Sequence, residues 1–213
     1  MPRSTQTENP GRDYGGESAG ERDARRRRQL LDAGVHLFGT VGFRATTVRS
    51  LCAEAHVAFR NFYDYFDSLE DVLIAVYKEC NARLMGAVIE AVGPIKEGME
   101  IDDAAARGLE AFFSTVEDRE LARVVWFEVL GVSDEVDQVY HENLKVFAKY
   151  LESLIEAWRP NASTPERREL LAITAVGGLS NLAMVWAMDG YDHARSEVVA
   201  TGQQLIVSVA SGL

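Results

Sequence analysis

Apolar residues recur along most of this 213-residue chain at intervals of three and four positions. Positions spaced in this way share one face of an α-helix. The alternating β-branched runs and regularly spaced glycine turns of an all-β chain are missing from the sequence. The sequence therefore predicts an all-α fold. The clearest repeat follows Ser133, at Val136, Tyr140, Leu144, Phe147, Leu151, Leu154 and Trp158.

Capping signals predict where the helices begin and end, with about nine helices in all. Ser68, with Asp71 three residues on, begins a helix of about 24 residues that Gly93-Pro94 ends. Ser133-Asp134-Glu135 and Thr164-Pro165 begin two later helices. The predicted helices span about 22–41, 47–54, 58–66, 69–92, 102–118, 121–130, 134–158, 165–189 and 194–211.

The charge of the chain is divided unevenly. The formal net charge is −11, but residues 22–66 carry 8 Arg and Lys against 4 Asp and Glu. Residues 67–213 carry 12 against 25. A basic module binds the phosphates of double-stranded DNA and releases their counterions, whereas an acidic body is repelled by them. Together with the polar, glycine-rich start of the chain, this division predicts a disordered extension at 1–21, a DNA-binding domain at 22–68 and a larger helical domain at 69–213.

The sequence gives no signal for catalysis, metal binding or membrane insertion. Cys52 and Cys80 have no companions at metal-ligand spacing, and the four histidines are scattered. No carboxylate pair, nucleophile elbow or Walker loop accompanies them. We also expect no uncharged apolar stretch of about 18 residues and no signal peptide. These observations predict a soluble, cytoplasmic protein that is not an enzyme, holds no metal or cofactor and has no membrane partner.

Three short helices, with a turn of about three residues between the second and third, are typical of a helix-turn-helix. Segment 28–73 contains, in order, Leu37-Phe38, Gly42-Phe43, Thr46-Thr47-Val48, Leu51, Ala55-x-Val57, Tyr63, Phe66 and Ser68-x-Glu70. With these features it closely resembles the N-terminal domain of the TetR family. The resemblance departs from the family at His56, where Gly is usual, and at Leu69, where Lys is usual. If position 56 needs a positive φ, His costs roughly 1–2 kcal/mol relative to Gly.

The residues of the predicted second and third helices point to contacts with double-stranded DNA. Arg60 can pair with guanine and Asn61 with adenine. Tyr63 and Tyr65 match family positions that contact the DNA backbone, although core packing is an alternative for Tyr63. The run Arg25–Arg28 is either a minor-groove arm or a solubilising segment. The predicted DNA-binding residues are Arg44, Thr46, Thr47, Arg49, Ala58, Phe59, Arg60, Asn61, Tyr63 and Tyr65.

The resemblance implies that the larger domain forms a homodimer through its last two helices and holds a ligand pocket. Small residues at Gly177, Gly178 and Ser180 permit close approach of a second helix. Core packing is the alternative to ligand contact at each predicted pocket position, and Glu128 is a polar anchor or faces outward. The predicted pocket residues are Phe112, Phe113, Val116, Trp126, Phe127, Leu130, Tyr140, Leu144, Phe147, Asn181, Val185 and Trp186.

The function that this resemblance implies is a ligand-released homodimeric repressor of a palindromic operator. The aromatic pocket positions favour a hydrophobic small molecule, such as a fatty acid, an acyl-CoA or a planar drug. Coupling would pass through the long fourth helix, and the ligand would act by its different affinity for two states. The alternative is a DNA-binding architectural or protein-regulated adaptor of the same fold without a small-molecule effector.

Overall fold

The computed structural model describes residues 18–96 and 100–212, and every regular element within these ranges is helical. Two 3₁₀ segments, Phe43–Ala45 and Phe59–Asp64, flank α2. With the second of these counted as a helix, the described residues form nine helices, which confirms the predicted all-α fold. The α-helices are α1 (Ala19–Thr40), α2 (Val48–Glu54), α3 (Leu69–Val92), α4 (Ile101–Val116), α5 (Arg119–Phe127), α6 (Asp134–Trp158), α7 (Pro165–Met188) and α8 (Arg195–Ser211).

The capping residues begin the long helices where the sequence predicts. Ser68, Ser133 and Thr164 each accept a hydrogen bond from the backbone N–H three residues on. These bonds satisfy N–H groups that have no partner within the helix. Gly93, with φ 75°, ends α3 after 24 residues. Local chemistry therefore determines these boundaries.

The N-terminal helix begins earlier than predicted. Ser18 caps α1 through a reciprocal capping box with Glu21, so residues 19–21 are helical rather than part of an extension. The run Arg25–Arg28 lies inside α1. The arginines are therefore part of a regular helix rather than of a flexible tail. The predicted extension over residues 1–17 lies outside the described residues.

The second and third helices are joined by a turn that uses a left-handed residue. His56 has φ 53°, which confirms the expected positive φ at the position where the family has Gly. The N–H of Val57 donates to the carbonyl of Cys52 at 3.0 Å and closes the turn. The third helix is a six-residue 3₁₀ helix rather than the predicted α-helix to residue 66. It is anchored by Phe62, which is fully buried.

The N-terminal unit, which we define as residues 19–66, packs on the rest of the chain through α1. One face of α1 contacts α3 and another contacts α5. On α1, Leu30 and Phe38 are fully buried. They belong to a hydrophobic core that also contains Tyr77 and Leu121. The N-terminal unit therefore shares a continuous core with the helical body formed by α3–α8.

Helix α7 corrects the expectation that no long uncharged apolar stretch occurs. No charged residue lies between Leu170 and Met188. Helix α7 is long and apolar enough to cross a membrane. Core helices of soluble proteins also meet this criterion of length and composition. Only 22% of its most apolar window is buried within the chain. The helix thus presents a large apolar surface that the rest of the chain does not cover.

Candidate nucleic-acid interface and ligand chamber

Seven of the ten predicted DNA-binding residues are exposed on the N-terminal unit. Arg44 follows α1, Thr47 and Arg49 lie at the start of α2, and the others lie on or next to the Phe59–Asp64 3₁₀ helix. Thr47 caps α2 by accepting the N–H of Ser50. The exposed residues are Arg44, Thr47, Arg49, Ala58, Phe59, Arg60 and Tyr63.

An exposed aromatic cluster stands at the start of the 3₁₀ helix. The ring of Phe59 meets the edge of Tyr63, with centroids 5.9 Å apart. The guanidinium of Arg49 lies over the Phe59 ring, 5.6 Å from its centroid. Such a cation–π contact orders an exposed side chain at little energetic cost. It holds a large apolar group outward, where a thymine methyl could contact it.

The other three predicted DNA-binding residues are buried or half-buried. Thr46 is buried, and its hydroxyl donates to the carbonyl of Gly42 at 2.8 Å, so its side chain is not available to a phosphate. Thr47, not Thr46, is the cap of α2. The hydroxyl of Tyr65 donates to Asp23 at 2.9 Å and ties α1 to the 3₁₀ helix. Asn61 is half-buried beside Arg60.

Two arginines of the basic run face the protein itself. The guanidinium of Arg27 lies over the ring of Phe66, 5.2 Å from its centroid. Arg28 donates to Glu79 of α3 at 2.7 Å, and this hydrogen bond raises the pKa of Arg28. These contacts fasten α1 to its neighbours, so these two arginines have structural roles.

A chamber of about 100 Å³ lies inside the helical body. Residues of α3, α4, α5, α6, α7 and α8 line it. Five of the twelve predicted pocket residues belong to its wall: Phe112, Trp126, Tyr140, Leu144 and Phe147. The aromatic lining inferred from the sequence is therefore present on the predicted helices.

Three other predicted pocket residues are packed in the core beyond the chamber. Phe113 and Val116 are fully buried, and Phe113 meets Trp186 edge-on at 5.6 Å. The indole N–H of Trp186 donates to the carbonyl of His193 at 2.9 Å. Its ring also packs on Tyr191, which has φ 68° and donates to the carbonyl of Val116. These residues hold the α7–α8 link against the end of α4.

The remaining four predicted pocket residues face outward. Phe127 and Leu130 at the end of α5 are exposed, and so are Asn181 and Val185 on α7. On α7 the side chain that reaches the chamber is Ser180, which accepts the indole N–H of Trp126 at 2.9 Å. Successive residues of a helix point about 100° apart, so Ser180 can line the chamber while the next residue, Asn181, lies on the surface.

The sequence reasoning missed the polar residues of the chamber. Asn143 donates to the side-chain oxygen of Asn81 at 2.7 Å, linking α6 to α3. Asn81 in turn donates to the carbonyl of Tyr77. Burial raises the pKa of Tyr77 far above its ordinary value, so its phenol stays neutral. One sequence signal could have revealed these polar residues: Asn81 is polar although positions 77, 84 and 88 on the same face of α3 are apolar or aromatic.

Another polar group of the wall has no partner. The hydroxyl of Tyr150 is buried without a hydrogen bond, and Tyr150 lies between the chamber and a surface depression. Lys145 and Lys149 line that depression. An unpaired buried hydroxyl costs about 1–3 kcal/mol, which a hydrogen-bonding ligand would recover.

Glu128 lies away from the chamber, at the junction with the N-terminal unit. Its carboxylate accepts the backbone N–H of Phe43 and the Nε of Arg123, both at 2.7 Å. Its side chain is only 11% exposed. Glu128 is thus a contact between the helical body and the N-terminal unit rather than a polar anchor for a ligand.

Comparison with known sequences identifies the N-terminal unit. Residues 30–76 match the sequence model described as "Bacterial regulatory proteins, tetR family". This match identifies the N-terminal unit as a DNA-binding domain of the TetR type. A chain that carries this domain is a DNA-binding transcriptional regulator and not an enzyme.

Relatives of this regulator match over most of its length. The "Fatty acid metabolism regulator protein" of Bacillus subtilis strain 168 is 26% identical over 189 residues, which are 87% of this chain and 94% of that protein. The fold resembles FadR of Bacillus halodurans, with TM-score 0.71, 21% identity and coverage of 85% and 94%. FadR of Bacillus subtilis, solved in complex with stearoyl-CoA, has TM-score 0.70, 23% identity and coverage of 87% and 98%.

Proposed function

We propose that the protein is a homodimeric, cytoplasmic repressor that binds a palindromic operator and releases it when a hydrophobic small molecule enters the chamber. One arrangement supports this proposal most strongly. Helices α3 and α5 both contribute to the chamber wall and both pack on α1. A molecule that moves either helix therefore also moves the unit that carries the DNA-binding residues.

The exposed residues of the N-terminal unit suit an operator half-site. Arg60 and Asn61 have the donors and acceptors that pair with guanine and adenine edges in the major groove. Arg44, Arg49 and Thr47 are exposed on the same unit and can bind phosphates. In a two-fold dimer, two such units would meet half-sites roughly 34–36 Å apart, so the operator would be palindromic.

The uncovered face of α7 supports dimerisation. Leu170 is 66% exposed and Met188 is 64% exposed, at opposite ends of the uncharged stretch. A helix that is apolar on all sides needs cover, and large apolar patches mark interaction sites. No atom lies within 4 Å of the position that a Cβ would take at Gly177, so a second backbone could approach closely there. We assign this face to a second copy that packs through α7 and α8.

The size of the chamber supports a ligand-induced change of state. A volume of about 100 Å³ is smaller than the roughly 300–1,000 Å³ of sites that enclose drug-sized ligands. A long acyl chain, such as the one bound by Bacillus subtilis FadR, would have to widen the chamber. It would then bind the widened state better than the narrow one, which is the condition for shifting the population.

The lining indicates which part of a ligand would enter. Among the described residues that line the chamber, none has a charged side chain. A carboxylate buried there would lack a counter-charge and would be strongly disfavoured. The chamber therefore suits an uncharged chain with a carbonyl or hydroxyl for Tyr150. A thioester of a fatty acid fits this description better than the free acid.

Selection of DNA from a random library tests the DNA-binding part of the proposal. The full-length protein should enrich a palindrome whose half-site centres are one helical turn, or a multiple of it, apart. Arg60→Ala should weaken binding and relax the sequence preference at one position of each half-site. Lys149→Ala, on the outer surface of α6, is the control and should leave the enriched sequence unchanged. Enrichment of no common sequence would contradict the proposal.

Light scattering during gel filtration tests the dimer. Met188→Glu should give monomers that bind the selected operator weakly, because it places a charge in the proposed interface. Val146→Glu is the matched control, since Val146 is 56% exposed on α6. It should remain dimeric. A wild-type monomer, or binding of the protein to lipid vesicles through α7, would contradict the assignment of this face to a second copy.

A further inference from the structure

Two charged side chains, one on helix α5 and one on the residue that follows it, bind the backbone of the N-terminal unit. Arg123 donates to the carbonyl of Thr40 through Nη1 and to Glu128 through Nε, the latter at 2.7 Å. The second oxygen of Glu128 accepts the N–H of Phe43 at 2.7 Å. We call these side chains, with the two backbone groups they bind, the Arg123–Glu128 clamp.

The two backbone groups are ones that the helices themselves leave without partners. Thr40 is the last residue of α1, so its carbonyl lies beyond the hydrogen bonds of the helix. Phe43 opens the following 3₁₀ turn, where the N–H is equally free of a helical partner. Between them Gly42 has φ 99°. A Cβ at Gly42 would lie 2.9 Å from Nη2 of Arg123, so the clamp fits closely around a glycine turn.

Other residues of α5 line the chamber. Val125 and Trp126 contribute to its wall, and Trp126 is hydrogen-bonded to Ser180 of α7. The helix has only nine residues. So short an element cannot bend to absorb a displacement of Trp126 and must shift as one piece. Charge-assisted hydrogen bonds such as those of the clamp depend strongly on distance and angle, so a small shift would break them.

We propose that Arg123 and Glu128 are positioning residues for DNA binding, because they fix the N-terminal unit on the body while the chamber is empty. Widening the chamber moves α5 and opens the clamp, which frees the orientation of the unit. This route through α5 is additional to the one through α3. The ligand-dependent part rests on the proposed function, whereas the effect of the clamp on DNA binding without ligand does not.

Variants of the clamp test this inference with the full-length dimer and a selected operator. Glu128→Ala should bind the operator about ten-fold more weakly in the absence of any ligand. Its affinity for stearoyl-CoA, measured without DNA, should stay within two-fold of the wild type. The factor by which saturating stearoyl-CoA weakens DNA binding should shrink, since the coupling between the two sites is reduced. A residue that merely supports the fold would lower stability without changing this factor.

Glu110→Ala is the matched control. Glu110 forms an ion pair with Arg195 at 2.9 Å within the body and contributes nothing to the clamp. It should bind operator and respond to stearoyl-CoA as the wild type does. Wild-type operator affinity and a full ligand response in Glu128→Ala would overturn the inference.

Amide hydrogen exchange at Phe43 in the wild-type protein decides the matter if Glu128→Ala does not fold. The Phe43 N–H should be protected in the empty protein and should exchange faster once stearoyl-CoA saturates it. Unchanged protection in the liganded protein would contradict opening of the clamp. If stearoyl-CoA binds nowhere, the proposed effector is wrong. The clamp is then judged by the operator affinity of Arg123→Lys, which should still be weakened.

Discussion

Gly39 of α1 lies directly against the backbone of Glu120 on α5. A Cβ at position 39 would be 2.5 Å from the Cβ of Glu120 and 2.6 Å from its Cα. Real Cβ atoms do not approach this closely, and a backbone atom cannot rotate away as a side chain can. The side chain of Glu120 continues the junction by meeting Nδ1 of His36 at 3.0 Å. The close approach of α1 and α5 therefore depends on a glycine.

Gly39→Ala should destabilise the protein and weaken operator binding together. Overpacking of this kind costs about 1–3 kcal/mol, which corresponds to a fall in Tm of several degrees for a chain of this length. Gly86→Ala is the control, because no atom lies within 4 Å of the Cβ position at Gly86 of α3. It should be neutral or raise the stability by up to about 1 kcal/mol. Equal melting temperatures for the two variants would refute the close α1–α5 contact.

His56→Gly should leave the stability unchanged or raise it. His56 holds φ 53°, a conformation that costs a residue with a Cβ roughly 1–2 kcal/mol. Glycine removes this cost but adds entropy to the unfolded chain, so the net gain is at most about 1 kcal/mol. Ala53→Gly, an exposed position in the neighbouring α2, should instead lose about 0.5–1 kcal/mol. Chemical denaturation measures the free energy of unfolding of both variants. A similar loss of stability in both would be inconsistent with strain at His56.

Both cysteines should be unreactive in the folded protein. Burial raises the pKa of Cys80 to about 12 and also raises the pKa of Cys52, so neither is a thiolate near neutral pH. An aromatic disulfide reagent at pH 8 should therefore label both thiols in guanidinium chloride and neither under native conditions. Because the folded-state pKa values are raised, the thiols favour the native state below about pH 8.5 and oppose it as pH rises further. Rapid native labelling of either cysteine would contradict the packing described for α2 and α3.

The sequence predicted the helix starts well because capping is local. Ser133 and Thr164 bind N–H groups three residues away, and no distant residue is needed to recognise them. The positive φ of His56 was suggested by the family resemblance, because Gly is usual at that position. The shortening of the third helix to a 3₁₀ helix was not predictable, since it depends on how Phe62 packs beneath the unit.

The chamber was predicted less well because periodicity identifies a buried face without identifying its neighbour. Phe112 and Phe113 are adjacent and equally aromatic, yet Phe112 lines the chamber while Phe113 packs on Trp186. Glu128 is a polar residue in an apolar segment, which is compatible with a ligand anchor or an interdomain contact. Its hydrogen bond to Phe43 joins residues 85 positions apart, a separation that no local pattern encodes.

Release of operator DNA by a long-chain acyl-CoA tests the central claim most directly. Fluorescence anisotropy of a labelled operator, bound by the full-length dimer, would be followed as stearoyl-CoA is added, with coenzyme A alone as the control. Leu144→Trp, which narrows the chamber, should resist release, whereas Val146→Trp on the exposed side of α6 should respond as the wild type does. The account predicts release of the wild type by stearoyl-CoA and none by coenzyme A. A wild-type complex that stays intact at saturating concentrations of stearoyl-CoA and other hydrophobic ligands, or equal release of Leu144→Trp, would contradict it.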